Sequence, residues 1–234
     1  LTRANIALPS VPYYTMLSDS IGYIILNSFT NNCAREVRLA LVELKDRGAK
    51  RLVFDLRGNG GGSLSEAVDI TGLFVPKGTV VVTTRGKIAQ ATQSFRTRRE
   101  PLDATMPLVV LVDGQSASAS EIVAGAIQDL DRGVIMGRRT YGKGLVQTVR
   151  DLPYNSSLKL TTGKYYTPSG RCVQAIDYAR RAEDGSVERI PDSLTTEYRT
   201  VAGRSVRDGG GITPDVPLQP DSLPNILFYL ANSD

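Results

Sequence analysis

The sequence predicts an α/β protein with a central, largely parallel sheet, followed by a β-rich C-terminal part. Three observations carry that expectation. Short apolar runs recur at 21–27 (IGYIILN), 51–56 (RLVFDL), 79–84 (TVVVTT), 107–112 (PLVVLV) and 133–137 (GVIMG). Several are separated by segments with apolar residues at helical spacing, and strand–helix–strand repetition argues parallel pairing through crossover helices. After Gly144 the pattern changes to two adjoining strand-like runs, which read as an antiparallel pair.

Each element follows in turn. Residues 21–27 are apolar enough for a buried strand. Thr30 or Asn31 can cap a helix running to about Gly48, because Val37, Leu41 and Leu44 fall on one face and glycine is a common terminator. The strand at 51–56 leads into a glycine-rich turn, Arg57-Gly58-Asn59-Gly60-Gly61-Gly62-Ser63. A helix follows with Leu64, Val68 and Leu73 on one side. Beyond the runs at 79–84 and 107–112, a third helix spans 117 to about 130 with Ile122, Ala126, Ile127 and Leu130 inward, and 133–137 returns as a strand. Residues 146–152 and 158–166 flank Pro153-Tyr154-Asn155-Ser156 as a hairpin. Residues 175–207 are polar and weakly periodic, which reads as a surface insertion. The stretch 223–231 (LPNILFYLA) reads as a short apolar helix. In domain terms, 1–20 leads into the core, 21–174 forms it, 175–209 is inserted and 210–234 completes it.

Composition narrows the function classes. At 234 residues, 41% hydrophobic and 22% charged, the chain is long enough for one substantial core. No apolar run approaches the ~20 residues of a membrane span. No signal peptide opens the chain, and residue 1 is Leu, so the expectation is a fragment or processed form. The net charge of +4 is mild. Its densest basic cluster, Arg96-Thr97-Arg98-Arg99, has little aromatic interleaving and reads as a solvated loop, with no nucleic-acid partner expected. Cys33 and Cys172 fit no metal spacing, Cys33 reads as a small buried helical residue, and their pairing has no special support. With no histidine, a zinc site is not expected.

The absence of histidine also restricts the catalytic chemistry. A hydrolytic serine needs a base, and no Ser-His-Asp or Cys-His site can be built here. Lys, Asp, Glu and Tyr remain, with Ser-Lys pairs the best attested substitute. Three loops follow strands and carry unusual chemistry, and open α/β sheets gather their sites at strand carboxyl ends. Ser116-Ala117-Ser118-Ala119-Ser120-Glu121 leads into a helix, where free N–H groups and the helix dipole favour a developing oxyanion. Helix capping alone needs one serine, not three. Gly142-Lys143-Gly144 offers a lysine on a tight backbone path. As a base it would need its pKa brought from ~10.4 to about 7–8, which an apolar site can do. A surface turn is the plain alternative, and a phosphate loop fails because Leu145 follows Gly144. The Gly60-Gly61-Gly62 run supplies unhindered N–H groups, for an oxyanion hole or simply for a flexible turn.

Together these segments resemble the carboxy-terminal processing proteases, or tail-specific proteases, of the S41 serine peptidase family. The resemblance rests on Asp55-Leu56-Arg57-Gly58-Asn59-Gly60-Gly61-Gly62, Ser116-Ala117-Ser118-Ala119-Ser120-Glu121-Ile122, Thr140-Tyr141-Gly142-Lys143-Gly144-Leu145-Val146-Gln147, Tyr166-Thr167-Pro168-Ser169-Gly170 and Gly210-Gly211-Ile212-Thr213-Pro214-Asp215-Val216, in order from about Ile21 to Leu218. It implies a Clp protease/crotonase-like core with a Ser-Lys dyad. Ser118 would be the nucleophile, Lys143 the base and Gln147 the residue orienting it. The N–H groups of Ala119 and Gly61 would form the oxyanion hole, with Asp129 supportive and Ser116 and Ser120 structural. It implies no cofactor or metal, polypeptide substrates with apolar C-terminal tails, and an extracytoplasmic setting such as the bacterial periplasm. Any membrane or lipoprotein association would come through missing upstream regions, and an oligomer is allowed. Two departures stand out: nothing reads as the family's PDZ domain, and the 175–209 insertion is longer than usual, forming a lid or contact surface. A pseudoprotease scaffold and a crotonase-like acyl-thioester enzyme are the rival readings.

Overall fold

A computed structural model describes residues 8–219, apart from 89, 91, 182, 183 and 186. The expected helix at 223–231 lies outside the described residues. Six strands form the main sheet: β1 (Tyr13–Ser18), β2 (Ile21–Ile25), β3 (Arg51–Asp55), β6 (Leu108–Val112), β7 (Val134–Gly137) and β14 (Val216–Pro217), in the order β1-β2-β3-β6-β7-β14. From β2 to β14 all neighbours are parallel, and β1 runs antiparallel at the edge. Ile24, Leu52, Phe54, Val110 and Ile135 are fully buried in this sheet.

Three helices fill the crossovers. Helix α1 (Cys33–Asp46) buries Val37, Ala40, Leu41 and Leu44 at helical spacing. Its N-terminus is capped from outside the helix, by the Glu66 carboxylate accepting from the N–H groups of Asn32 and Ala34. Helix α2 (Leu64–Thr71) follows the glycine turn, its N-terminus capped by the Ser63 hydroxyl. Helix α3 (Ala119–Asp129) packs against α2 and is buried along its whole length. Cys33 is buried at the first position of α1, and both cysteines are free thiols.

Three findings correct the expected layout. The run at 79–84 does not join the parallel sheet. As β4 (Val80–Gly86) it pairs antiparallel with β5 (Gln93–Arg96) and β9 (Ser156–Tyr166) in a second sheet of order β5-β4-β9-β8, with β8 spanning Leu145–Leu152. Among the described residues, the chain between β4 and β6 holds β5 and no α-helix, so no helical crossover joins them as parallel neighbours. Arg96 ends β5, so the basic cluster is not wholly loop. The leading segment 1–20 contributes edge strand β1, which belongs to the main sheet.

The hairpin of β8 (Leu145–Leu152) with β9 forms as expected. Tyr154 and Asn155 at its tip both take positive φ, 62° and 55°, the pattern of a type I′ turn. The 175–209 stretch folds as two short antiparallel pairs, β10 (Ile176–Arg181) with β11 (Val187–Arg189) and β12 (Glu197–Arg199) with β13 (Ser205–Arg207). The chain then returns to the main sheet as β14, beside β7.

Candidate active site

The site gathers at the carboxyl ends of β3, β6 and β7, where the three unusual loops meet. Of the three serines at the start of α3, two are spent on structure. Ser116 is fully buried and donates to the Leu56 carbonyl at 2.8 Å. Ser120 is fully buried and donates to the Asn59 carbonyl at 2.9 Å. Both hydroxyls therefore staple the serine loop to the glycine loop. Ser118 alone is half-buried. It is the N-cap of α3 with φ 56° and ψ −111°, a backbone state that a non-glycine residue rarely adopts. A sharp strand-to-helix elbow of this kind lifts a serine off the sheet.

Glu121 holds the elbow. Its carboxylate is fully buried and accepts from the Ser118 N–H at 2.9 Å, the Thr140 hydroxyl at 2.6 Å, the Gly142 N–H at 2.8 Å and the Lys143 N–H at 2.9 Å. Burial pushes this carboxyl above the ordinary range, and the four donors oppose that shift. One side chain thus joins the serine loop to the lysine loop. In the sequence Glu121 is one residue of the serine motif, with no role of its own apparent. The visible signal was its place three residues after a serine N-cap, the capping-box spacing. Tyr165, also missed, lies fully buried below and donates its hydroxyl to the Ser118 carbonyl at 3.2 Å. Burial and the nearby Glu121 charge raise that phenol well above its ordinary value, so it remains a donor.

The glycine loop lies where the sequence places it. A Cβ on Gly61 would sit 2.8 Å from the Ser118 Cβ and 2.9 Å from the Ala119 nitrogen, and φ there is +98°, so only glycine allows this approach. The Gly61 N–H is itself donated to Asn59 Oδ1 at 2.9 Å, so any oxyanion would have to share it. Asn59 is fully buried and also donates to the Leu26 carbonyl, which makes it the organiser of the turn, a role the sequence did not reveal. Ala119 is the first residue of α3, so its N–H has no partner within the helix.

Lys143 and Gln147 line a cavity of about 480 Å³ together with Gly60 and Ala117. Among the described residues, no hydrogen bond joins the Lys143 amine to the Ser118 hydroxyl or to Gln147. Asp129 lies at the far end of α3, about 15 Å along the helix from Ser118. There it contacts buried Arg171 at 2.8 Å as an ion pair without hydrogen-bond alignment, and it accepts from the Ser169 N–H. Its support is given to the Thr167-Pro168-Ser169-Gly170 turn, not to the serine. Among the described residues, no group of carboxylates and thiols is placed to hold a metal ion.

Fold and loops together define an α/β protein with a serine-bearing elbow framed by a glycine loop and a lysine loop. The chain belongs to peptidase family S41, whose model matches residues 20–183. It is 39% identical over 180 residues to a carboxy-terminal-processing protease of Bartonella bacilliformis, covering 75% of this chain and 41% of that protein. It is 41% identical over 173 residues to a carboxyl-terminal-processing protease of Synechocystis, covering 72% of this chain and 39% of that one. Among solved structures it resembles the photosystem II D1 C-terminal processing protease, with a TM-score of 0.68 at 30% identity over 99% of this chain and 54% of that one. The chain thus spans about two fifths of the length of the curated relatives it matches. The mixed α/β architecture agrees with the Clp protease/crotonase-like core expected from the sequence.

Proposed function

We infer that this chain is the catalytic core of a serine endopeptidase working through a Ser118–Lys143 dyad. The observation that carries the reading is the Ser118 elbow, half-exposed and strained, whose N–H shares the Glu121 carboxylate with the N–H of Lys143. In this reading the neutral Lys143 amine removes the Ser118 proton as Oγ attacks a peptide carbonyl. The Ala119 N–H and the Gly61 N–H receive the oxyanion, each such donor contributing roughly 3–4 kcal/mol in comparable sites. Lys143 then returns the proton to the leaving amine, and water hydrolyses the acyl-enzyme. Gln147, on the same cavity wall as Lys143, orients the amine. The dyad closes when substrate seats, since catalytic hydrogen bonds commonly tighten only in the complex.

The substrates proposed are proteins carrying apolar C-terminal tails, met outside the cytoplasm. The names of the relatives, which are carboxy-terminal processing proteases, support the C-terminal part of that reading. The test is cleavage of an unfolded reporter with an apolar tail by this chain, by Ser118→Ala and by Lys143→Ala. Cleavage by the parent and its loss in both variants is the expected result. Cleavage that survives Ser118→Ala overturns the dyad, and thioester turnover by that variant would favour an acyl-thioester enzyme.

A further inference from the structure

The 175–209 stretch is bound to the lysine loop at several points. The Ala175 N–H donates to the Gly142 carbonyl at 2.9 Å, and the Gly144 N–H donates to the buried Gln174 side chain at 2.8 Å. Gln174 in turn donates to the Ile176 carbonyl, and the Arg189 guanidinium donates to the Tyr141 carbonyl. A Cβ on Gly142 would lie 2.3 Å from the Ala175 Cβ, so the two segments are in direct backbone contact. The Ile190 N–H closes the arrangement by donating to the Ala175 carbonyl. A segment tied down in this way is a wall of the site.

Behind that wall lies a cavity of about 660 Å³, within the range of ligand pockets. Its lining is mainly apolar: Leu145, Cys172, Ile176, Ile190 and Leu194, with Lys164 and Asp208 among its charged members. It adjoins the Lys143 cavity, and Leu145, Gln147, Gln174, Ile176 and Tyr178 line both. Leu145 and Gln147 lie on β8 on either side of a register irregularity, and both border the two cavities. A polypeptide lying along the Lys143 cavity therefore runs beside the lining of an apolar recess.

We propose that this recess takes an apolar side chain of the polypeptide substrate, and that the 175–209 segment is thereby a specificity wall of the site. The proposal rests on the peptidase reading and deepens it. Burying one large apolar side chain makes at least a tenfold difference in affinity.

The test measures peptide affinity in a Ser118→Ala background, so that it does not depend on turnover. Peptides identical except for Leu or Asn scanned along the sequence are titrated by fluorescence anisotropy. The expected result is a preference of at least tenfold for Leu at one position, abolished by Ile176→Asp and by Leu194→Asp. Leu194 is 65% exposed, so its variant should fold even if the other does not. Attachment of a benzyl group to Cys172, the less buried thiol, should also remove the preference. A preference unchanged in Leu194→Asp and after Cys172 modification overturns the proposal, as does its absence from the parent background. In parallel, a small fluorophosphonate is reacted with the parent chain carrying native Ser118. Failure of the parent to react counts against the Ser118 reading alone, because the affinity series still decides the recess.

Discussion

At the residue scale, Glu121 and Tyr165 do most to hold the elbow, and neither reacts with substrate in this account. Glu121 offers two oxygens to four donors. In Glu121→Gln the amide nitrogen must face N–H groups that need an acceptor. Each unsatisfied buried donor costs about 1–3 kcal/mol. The variant should lower the fluorophosphonate reaction rate of Ser118 by more than tenfold and shift urea unfolding to lower concentration. An unchanged rate would separate Glu121 from nucleophile placement. Tyr165→Phe removes one hydroxyl and preserves the ring. Loss of its bond to the Ser118 carbonyl, worth about 1 kcal/mol, should reduce kcat roughly fivefold with KM unchanged. A change in KM alone would place Tyr165 in substrate binding instead.

At the scale of elements, α3 is a strut with different tasks at its two ends. The serine elbow sits at its N-terminus and the Asp129–Arg171 pair at its C-terminus. Arg171 is 1% exposed and also donates to Gln128 Oε1 and the Arg207 carbonyl. Arg171→Leu would leave Asp129 buried without its cation, at a cost of about 3–5 kcal/mol, measurable by urea denaturation. A loss below about 1 kcal/mol would show that the pair contributes little. The Lys45–Asp103 pair ties α1 to the loop before β6. Burial alone would raise the Asp103 carboxyl, but Lys45 and the N–H groups of Met106 and Thr105 outweigh it and hold it well below the ordinary 3.8. A depressed carboxylate stabilises the fold above its unfolded pKa, and that contribution is lost as pH falls toward the folded value. Asp103→Asn should therefore cost about 1 kcal/mol at pH 7, and the gap from the parent should close as the pH falls below about 4. A gap that stays constant down to pH 2 would contradict the pairing.

Over the whole molecule, what could be read from the sequence was whatever local period and loop chemistry encode. Val37, Leu41 and Leu44 marked α1, and the runs ending at Asn27, Leu56, Val112 and Gly137 marked four strands of the parallel sheet. The sheet to which β4 belongs was not legible, because a strand's period of two is the same in either sheet. Edge strand β1 was missed because its half-exposed residues Tyr14 and Met16 gave only a weak alternation. Ser118 and Lys143 came from motifs in register. Glu121 showed only its capping-box spacing, and the roles of Asn59 and Tyr165 came from the fold alone, since burial and hydrogen-bond partners are set by residues distant in sequence. The polar composition of 175–209 suggested surface, which is true of much of it, yet Ala175 at its start is buried against the lysine loop.

The central claim is that Ser118 is a nucleophile activated by Lys143. Its most direct test is mass-spectrometric mapping of the adduct formed by a small fluorophosphonate on this chain and on Lys143→Ala. The account predicts a single adduct on Ser118, formed at least a hundredfold more slowly in Lys143→Ala. An adduct on another residue, or an equal rate in the two proteins, would contradict it.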